Sequence, residues 1–424
     1  MRSLDELDVH GRRVLVRVDF NVPLGAGPDG APIVADDTRI RAALPTIEEL
    51  RGRGARLVLV SHLGRPHGQI VPELSLAPVV ARLCELTGAR VTLAPAVVGA
   101  EVRELTERLS DGEILVLENV RFEPGETADD PELARALAEL ADVYVDDAFG
   151  AAHRAHASTE GVAHLLPSAA GRLFEREVTT LTGILEHPAH PLVAVLGGAK
   201  VADKIAVIDR FLGLADAILI GGAMCFPFLA AEGHAVGASL CDSDDVEHAR
   251  QALARAADCL PSSERSGPVT GDAHAARLCL PRDLVIGERL SADSSARVLD
   301  GVEVPAGWMG LDIGPATSAL YANEIAAAGA VFWNGPMGAF ELAPFAAGTR
   351  TVAEAVAAAP GTTVVGGGDS AAALVQFGLE HSVDHLSTGG GATLELVEGR
   401  ALPGLQALAD RGSCRSPIGG AGVA

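Results

Sequence analysis

LVAVLGGAKVADK, residues 192–204, combines three signals. Leu192–Leu196 is an uninterrupted apolar run of strand length. Gly197 and Gly198 make a turn, and a helical pattern then begins that carries Lys200 and Lys204. A strand that is apolar at every position is buried on both faces, the condition of a parallel sheet covered by helices. Glycines at the strand end let the backbone approach a phosphate, and the following helix start attracts one. The two lysines sharpen the reading, because the chain has 33 basic residues and all the others are arginine. Lysine is a compact point charge on a thin stem, whereas arginine is a flat fork. Keeping lysine at these two positions points to close contact with phosphate oxygens in a tight site.

The same strand–helix unit recurs through the chain. In the first half, strands are expected over Val14–Phe20, Arg56–His62, Val91–Ala94, Ile114–Glu118 and Val143–Asp146. Helical patterns separate them near Arg39–Leu50, Leu76–Leu86, Val98–Leu109 and Pro131–Leu140. In the second half, strands are expected over Leu192–Leu196, Ala217–Ile220, Leu284–Ile286, Ala330–Asn334, Thr362–Val365 and His385–Ser387. The fold class that follows is α/β, with two doubly wound parallel-sheet (Rossmann-like) domains joined by an interdomain helix and hinge. A length of 424 residues suits two domains. The expected boundaries are 1–170, an interdomain helix at 171–187, 188–395, a C-terminal segment at 396–410, and a disordered Gly/Ser/Pro-rich tail at 411–424. The polar stretch 241–276 reads as a partly helical excursion outside the core.

Composition narrows the function. The formal net charge of −23 argues against nucleic acid as a partner. No apolar run has the length of a membrane span, and Met1–Glu6 lacks the basic-then-apolar pattern of a signal peptide. Six scattered cysteines form no CxxC pair and read as reduced thiols. A cytoplasmic location is the expectation.

Ligands of open α/β sheets bind at the carboxyl ends of the strands. In the first half those ends carry Asp19-Phe20-Asn21, His62-Leu63-Gly64-Arg65, Arg121 and Arg154, and Arg39 opens the first helix. Any one of these arginines could be a solvated surface residue. Four recurring at strand ends of an acidic chain point to a site for a small anion, since guanidinium forks grip carboxylate and phosphate bidentately. In the second half the ends are glycine-rich: Gly197-Gly198, Gly221-Gly222, Asn334-Gly335 and Gly366-Gly367-Gly368-Asp369-Ser370. Glycine also serves ordinary tight turns, but with two lysines these segments indicate a nucleotide site. Asp369 is placed to hold Mg2+, and Glu341 to accept from a ribose hydroxyl. There is no GxxxxGK[ST] P-loop, and no GxGxxG after the first strand as a dinucleotide dehydrogenase would need.

Ten ordered segments make the chain resemble the phosphoglycerate kinase family over about residues 8–410. They are RVDFNVP (17–23), DDTRIRAALPTI (36–47), SHLGRP (61–66), LENVRF (117–122), DDAFGAAHRAHAS (146–158), LGGAKVADK (196–204), GWMGLDIGP (307–315), VFWNGPMGAFE (331–341), GGGDS (366–370) and STGGGATLE (387–395). The resemblance implies reversible Mg2+-dependent phosphoryl transfer between ATP and the carboxylate of 3-phosphoglycerate, giving ADP and 1,3-bisphosphoglycerate, a step of glycolysis and gluconeogenesis. It implies that Asp19, Phe20, Asn21, Arg39, His62, Leu63, Gly64, Arg65, Arg121 and Arg154 bind the acid. It places Lys204, Gly310, Glu341, Gly367, Gly368, Asp369 and Ser370 at the nucleotide, with Asp369 as metal ligand. Arg39 and Lys200 would face the phosphoryl group in flight, brought together by closure of the two domains. The family also implies a monomer whose chain end, here Leu402–Leu408, folds back on the first domain. Asp146 stands where the family more often has Asn, and Arg282–Leu290 is unusual. A kinase for another small acid, or a non-catalytic binding protein on the same fold, remains an alternative at this point.

Overall fold

The computed structural model describes residues 1–28, 30–259 and 276–409. The expected tail at 411–424 and part of the 241–276 stretch lie outside them. The chain divides into two compact units: Met1–Val178 together with the chain from Ala401 on, and Thr179–Arg400. The division falls within the helix Arg172–Glu186.

The first unit is built on a six-stranded parallel sheet. From edge to edge it runs Val91–Leu93, Ile114–Val116, Arg56–Val60, Arg13–Arg17, Val143–Asp146 and Ser168–Ala170. Val14 lies opposite Leu57 on one side and Val143 on the other. Val14, Leu15 and Val16 are all fully buried, as strands covered on both faces require. Helix Thr38–Gly52 lays Ile40, Ala43, Ile47 and Leu50 against one face, a stripe at helical spacing. Arg13–Arg17 is flanked on one side by Arg56–Val60, the next strand of this sheet in sequence, and on the other by Val143–Asp146. Its carboxyl end is therefore the topological switch point where a ligand crevice opens. The short helix Pro403–Ala409 belongs to this unit; Gly404 N donates to Ala152 O at 3.0 Å.

The second unit repeats the plan. Its parallel sheet runs Arg277–Cys279, Ala217–Ile220, Leu192–Leu196, Ala330–Asn334, Thr362–Gly366 and His385–Leu386. Val193, Val195, Trp333 and Val365 pack with Tyr321, Ile325, Val352 and Val356 in one core. Here the fold differs from the sequence reading in three places. Leu284–Gly287 is not in the parallel sheet; it pairs antiparallel with Arg297–Leu299 and Met309–Ile313. A fully buried run looks alike in either setting, so pattern alone could not separate them. The edge strand Arg277–Cys279 has only three residues, too few to carry a period. The polar stretch after Cys241 forms the helix Ser243–Cys259, which buries Asp245, Ala249, Ala252 and Ala256 on one face. Alanine gives little hydropathy contrast, which hid that stripe. Among the described residues no helix is long and apolar enough to cross a membrane.

Three helices are capped by aspartates supplied from elsewhere in the same unit. Asp283 accepts from Ala316 N at 2.9 Å and Thr317 N at 2.7 Å, since the local cap, Gly314, has no side chain. Asp312 does the same for Gly348 N at 2.7 Å, and Asp147 for Leu173 N at 2.9 Å. Each carboxylate satisfies donors that a helix start leaves open and fixes that helix against the sheet. Asp283→Ala leaves the buried Thr317 N–H without its partner and uncaps the helix start. It should destabilise the second unit by about 2 kcal/mol, read as a lower urea midpoint with an unchanged slope.

Candidate functional site

At the carboxyl end of the first sheet, loop after loop is tied to its neighbour. Asn119, fully buried, accepts from Leu63 N and Arg121 N, each at 3.1 Å, and donates to Leu63 O at 2.7 Å and Leu74 O at 2.9 Å. It thus clamps the His62–Arg65 loop to the turn that presents Arg121. Asn21 Oδ1 accepts from Gly64 N at 2.9 Å, and Phe20 N donates to Ser61 Oγ at 2.9 Å. Arg39 Nη1 reaches Asp19 Oδ2 at 3.1 Å and Asn21 O at 3.2 Å. Arg121 Nη1 donates to Gly64 O at 2.6 Å. One hydrogen-bonded set therefore joins Asp19, Phe20, Asn21, Arg39, Leu63, Gly64 and Arg121. Arg65, Arg121 and Arg154 line a cleft of about 130 Å³ with His67 and Thr127. Arg39 and His62 do not line that cleft.

The field here is positive. Among the described residues Arg65, Arg121, Arg154 and Lys200 form no ion pair. Most other arginines do, Arg172 with Asp5, Glu49 and Glu175 for example. Burial, with Arg17 and Arg154 nearby, lowers the pKa of Arg121. His62 is driven well below the usual imidazole range by burial first, then by Arg17, Arg121 and Arg39. It is therefore neutral near pH 7. His156 falls to about 4 by burial and Arg17. Guanidinium groups without carboxylate partners, gathered in one cleft, give it a field that favours an anion.

In the second unit the strand ends approach so closely that side chains are excluded. Gly197 N and Gly198 N donate to Asn334 O and Pro336 O at 3.0 and 3.1 Å. Gly335 has φ +96°, and a Cβ there would lie 2.3 Å from Gly197 O and 2.5 Å from Lys204 Nζ. Lys204 Nζ passes beside it to donate to Gly197 O at 2.5 Å and Asn334 O at 2.7 Å. A guanidinium would not fit that passage, which explains the lysine. Burial lowers the Lys204 pKa to about 8, with Asp369 and Asp203 opposing the shift. Lys200 is exposed.

Gly367 leads into the helix Gly368–Phe377, whose first turn holds exposed Asp369 and buried Ser370. Ser370 Oγ accepts from Gly335 N at 2.6 Å, joining this turn to the lysine passage. Asn334 Nδ2, on the same side, is buried without a partner. Beside these turns a largely apolar cavity of about 370 Å³ is lined by Gly198, Phe226, Leu284, Leu290, Gly310 and Asp369, among others. A Cβ on Gly310 would lie 2.1 Å from the Phe226 ring, so glycine is required there. Glu341 is exposed, and Glu341, Lys204 and Ser370 do not line the cavity.

A profile of the phosphoglycerate kinase family matches residues 4–400. The chain belongs to this family. The phosphoglycerate kinase of Roseiflexus castenholzii is 51% identical over 416 residues, covering 96% of this chain and 99% of that protein. That of Rubrobacter xylanophilus is 52% identical over 410 residues, with 97% and 98% covered. The phosphoglycerate kinase structure from Coxiella burnetii superposes with a TM-score of 0.83 at 39% identity, covering 97% of this chain and 99% of that one. Three residues not among those expected from the sequence to bind a ligand stand out. Arg17 and Glu126 are buried beneath the arginine crevice, and Asn334 points its amide at the glycine turn. Arg17 opens RVDFNVP and could have been flagged as a charge inside an apolar strand. Nothing local marks Glu126.

Proposed function

We propose that the chain is a phosphoglycerate kinase in activity as well as in family, moving a phosphoryl group reversibly between Mg-ATP and the carboxylate of 3-phosphoglycerate. The observation that carries this is the unpaired arginine cluster at the switch point of the first sheet. An acid with both a carboxylate and a phosphate is the ligand such a cluster suits. In this reading Arg65, Arg121 and Arg154 grip the phosphate, while Asp19, Asn21, His62 and the Leu63–Gly64 backbone orient the rest of the acid. The nucleotide lies against the second unit, its base in the apolar cavity beside Gly310. Its phosphates meet Lys204, Asn334 and the Gly367–Ser370 turn, and Glu341 reaches the ribose.

The donor set fits Mg2+ of the kind shared with substrate. Among the described residues no three or more carboxylate, histidine or cysteine side chains gather for an ion. Asp369 is exposed in the first turn of the helix Gly368–Phe377. Magnesium commonly takes one or two carboxylates and completes its shell with phosphate oxygens and water. When bound it would neutralise charge on the phosphates. The protein's own share is positioning and charge stabilisation, as phosphoryl transfer demands. The acceptor carboxylate is ionised at neutral pH and needs no base, which agrees with histidines held neutral. Arg39 from the first unit and Lys200 from the second offset charge on the migrating group, so the reading requires both to reach it.

In a coupled assay with 3-phosphoglycerate, Mg2+ and ATP, wild type turns over. Lys200→Ala and Arg39→Ala should each lower kcat by about 10²–10³-fold, with little change in nucleotide KM. Unchanged kcat in either would remove it from the transition state. A panel of other small phosphorylated acids separates this reading from that of a kinase with a different acceptor. Lys204 gives a pH test. Its ammonium is charged below about pH 8 and neutral above. Bound phosphates favour the charged form, so nucleotide Kd should be flat below pH 8 and climb as pH rises through it. The climb should vanish in Lys204→Met.

A further inference from the structure

Below the arginine crevice runs a buried polar chain that the transfer reaction does not use directly. Glu126 and Ser158 are fully buried, and Arg17 is 1% exposed. Ser158 Oγ donates to Glu126 Oε1 at 2.6 Å, and Ser158 N donates to Glu126 Oε2 at 3.0 Å. Arg17 Nε donates to the same Ser158 Oγ at 2.8 Å. Arg17 Nη1 then reaches Val18 O at 2.5 Å, next to Asp19, and Nη2 meets His62 Nδ1 at 3.2 Å. His156 Nδ1 stands 3.6 Å from Glu126 Oε1.

The proton positions in this chain are forced. Ser158 has one hydroxyl hydrogen, and Glu126 takes it, so the oxygen is free to accept from Arg17. Glu126 receives two donors, the role an ionised carboxylate fills best. Burial raises its carboxyl, and Arg17 and the Ser158 bonds pull it back. Arginine is a donor at every nitrogen, so His62 Nδ1 must accept. A neutral imidazole that accepts at Nδ1 carries its hydrogen at Nε2. Protonating Nδ1 would set an N–H against the Arg17 N–H at 3.2 Å, with Arg39 and Arg121 nearby and only the more distant Asp19 Oδ1, at 4.0 Å, to favour it.

We infer that Glu126, acting through Ser158 and Arg17, is a positioning residue that holds His62 in the single tautomer able to donate from Nε2 to an anionic acid. The inference rests on the crevice being the acid site, but its first consequence does not. Arg17 is a buried charge that proteins tolerate poorly unless compensated, and Glu126 and Asp146 both face it. Glu126 supplies the counter-charge three groups away from the ligand, where it does not compete for the ligand's contacts.

The test uses the full-length enzyme with 15N-labelled histidine, the His62 ring assigned by its loss in His62→Gln. Wild type should show His62 as neutral Nε2–H across pH 6–8. Glu126→Gln keeps the shape but offers one acceptor and one donor, so one Ser158 donor is left unpaired. Ser158→Ala removes the relay with a smaller perturbation and guards against a Glu126→Gln protein that fails to fold. In both, His62 should become a mixture of tautomers. KM for 3-phosphoglycerate should rise about tenfold, the loss of one charge-assisted hydrogen bond, with KM for Mg-ATP within about twofold. A His62 that stays pure Nε2–H in both variants overturns the inference. A tautomer that shifts while the acid KM holds keeps the relay and refutes the assignment of His62 to the acid.

Discussion

Fixed positive charge in an acidic chain is the constraint on which the rest of this structure depends. With a formal charge of −23, the long-range field repels phosphorylated acids, so attraction has to be local. The structure provides it by pairing. Surface arginines are held by carboxylates, Arg41 and Arg82 by Asp37 for instance, while Arg65, Arg121 and Arg154 at the sheet's switch point are left without one. What keeps those three close despite mutual repulsion is the loop framework beneath them. Asn119 locks two loops together, Gly64 receives Arg121, and the buried Glu126 offsets Arg17.

In the proposed function the second unit meets phosphate differently. Its strand ends are packed backbone to backbone, and Gly197, Gly221, Gly222 and Gly335 are demanded by contacts below 3 Å to any added Cβ. The space admits one thin ammonium, Lys204, between Gly197 and Asn334. Backbone amides, a helix start and the unpartnered Asn334 amide then supply donors without bulk. Forked cations in one unit and a point charge among glycines in the other match two chemistries. One is a small acid gripped from several sides, the other a polyphosphate laid along a backbone.

Much of this was legible in the residues. Leu192–Leu196 with its glycines and lysines, and the arginines at successive strand ends, came through because parallel α/β sheets place function at strand termini. Less legible were features set by long-range contact. Leu284–Gly287 reads like any buried strand, and only its partners make it antiparallel. The helix Ser243–Cys259 hides its buried face in alanines. Arg17 and Glu126 are separated by more than a hundred residues and become a pair only through Ser158. Asp283, Asp312 and Asp147 cap helices that begin more than twenty residues further along the chain, so no capping pattern could reveal them.

Hydrogen exchange with each ligand added separately tests the division of labour most directly. The account predicts that 3-phosphoglycerate alone slows exchange in segments 18–22, 61–66 and 118–122 and leaves the glycine turns unchanged. Mg-ADP alone should slow 197–204, 334–338 and 366–371 and leave the arginine loops unchanged. Protection of the glycine turns by 3-phosphoglycerate alone, with the arginine loops unaffected, would contradict the account.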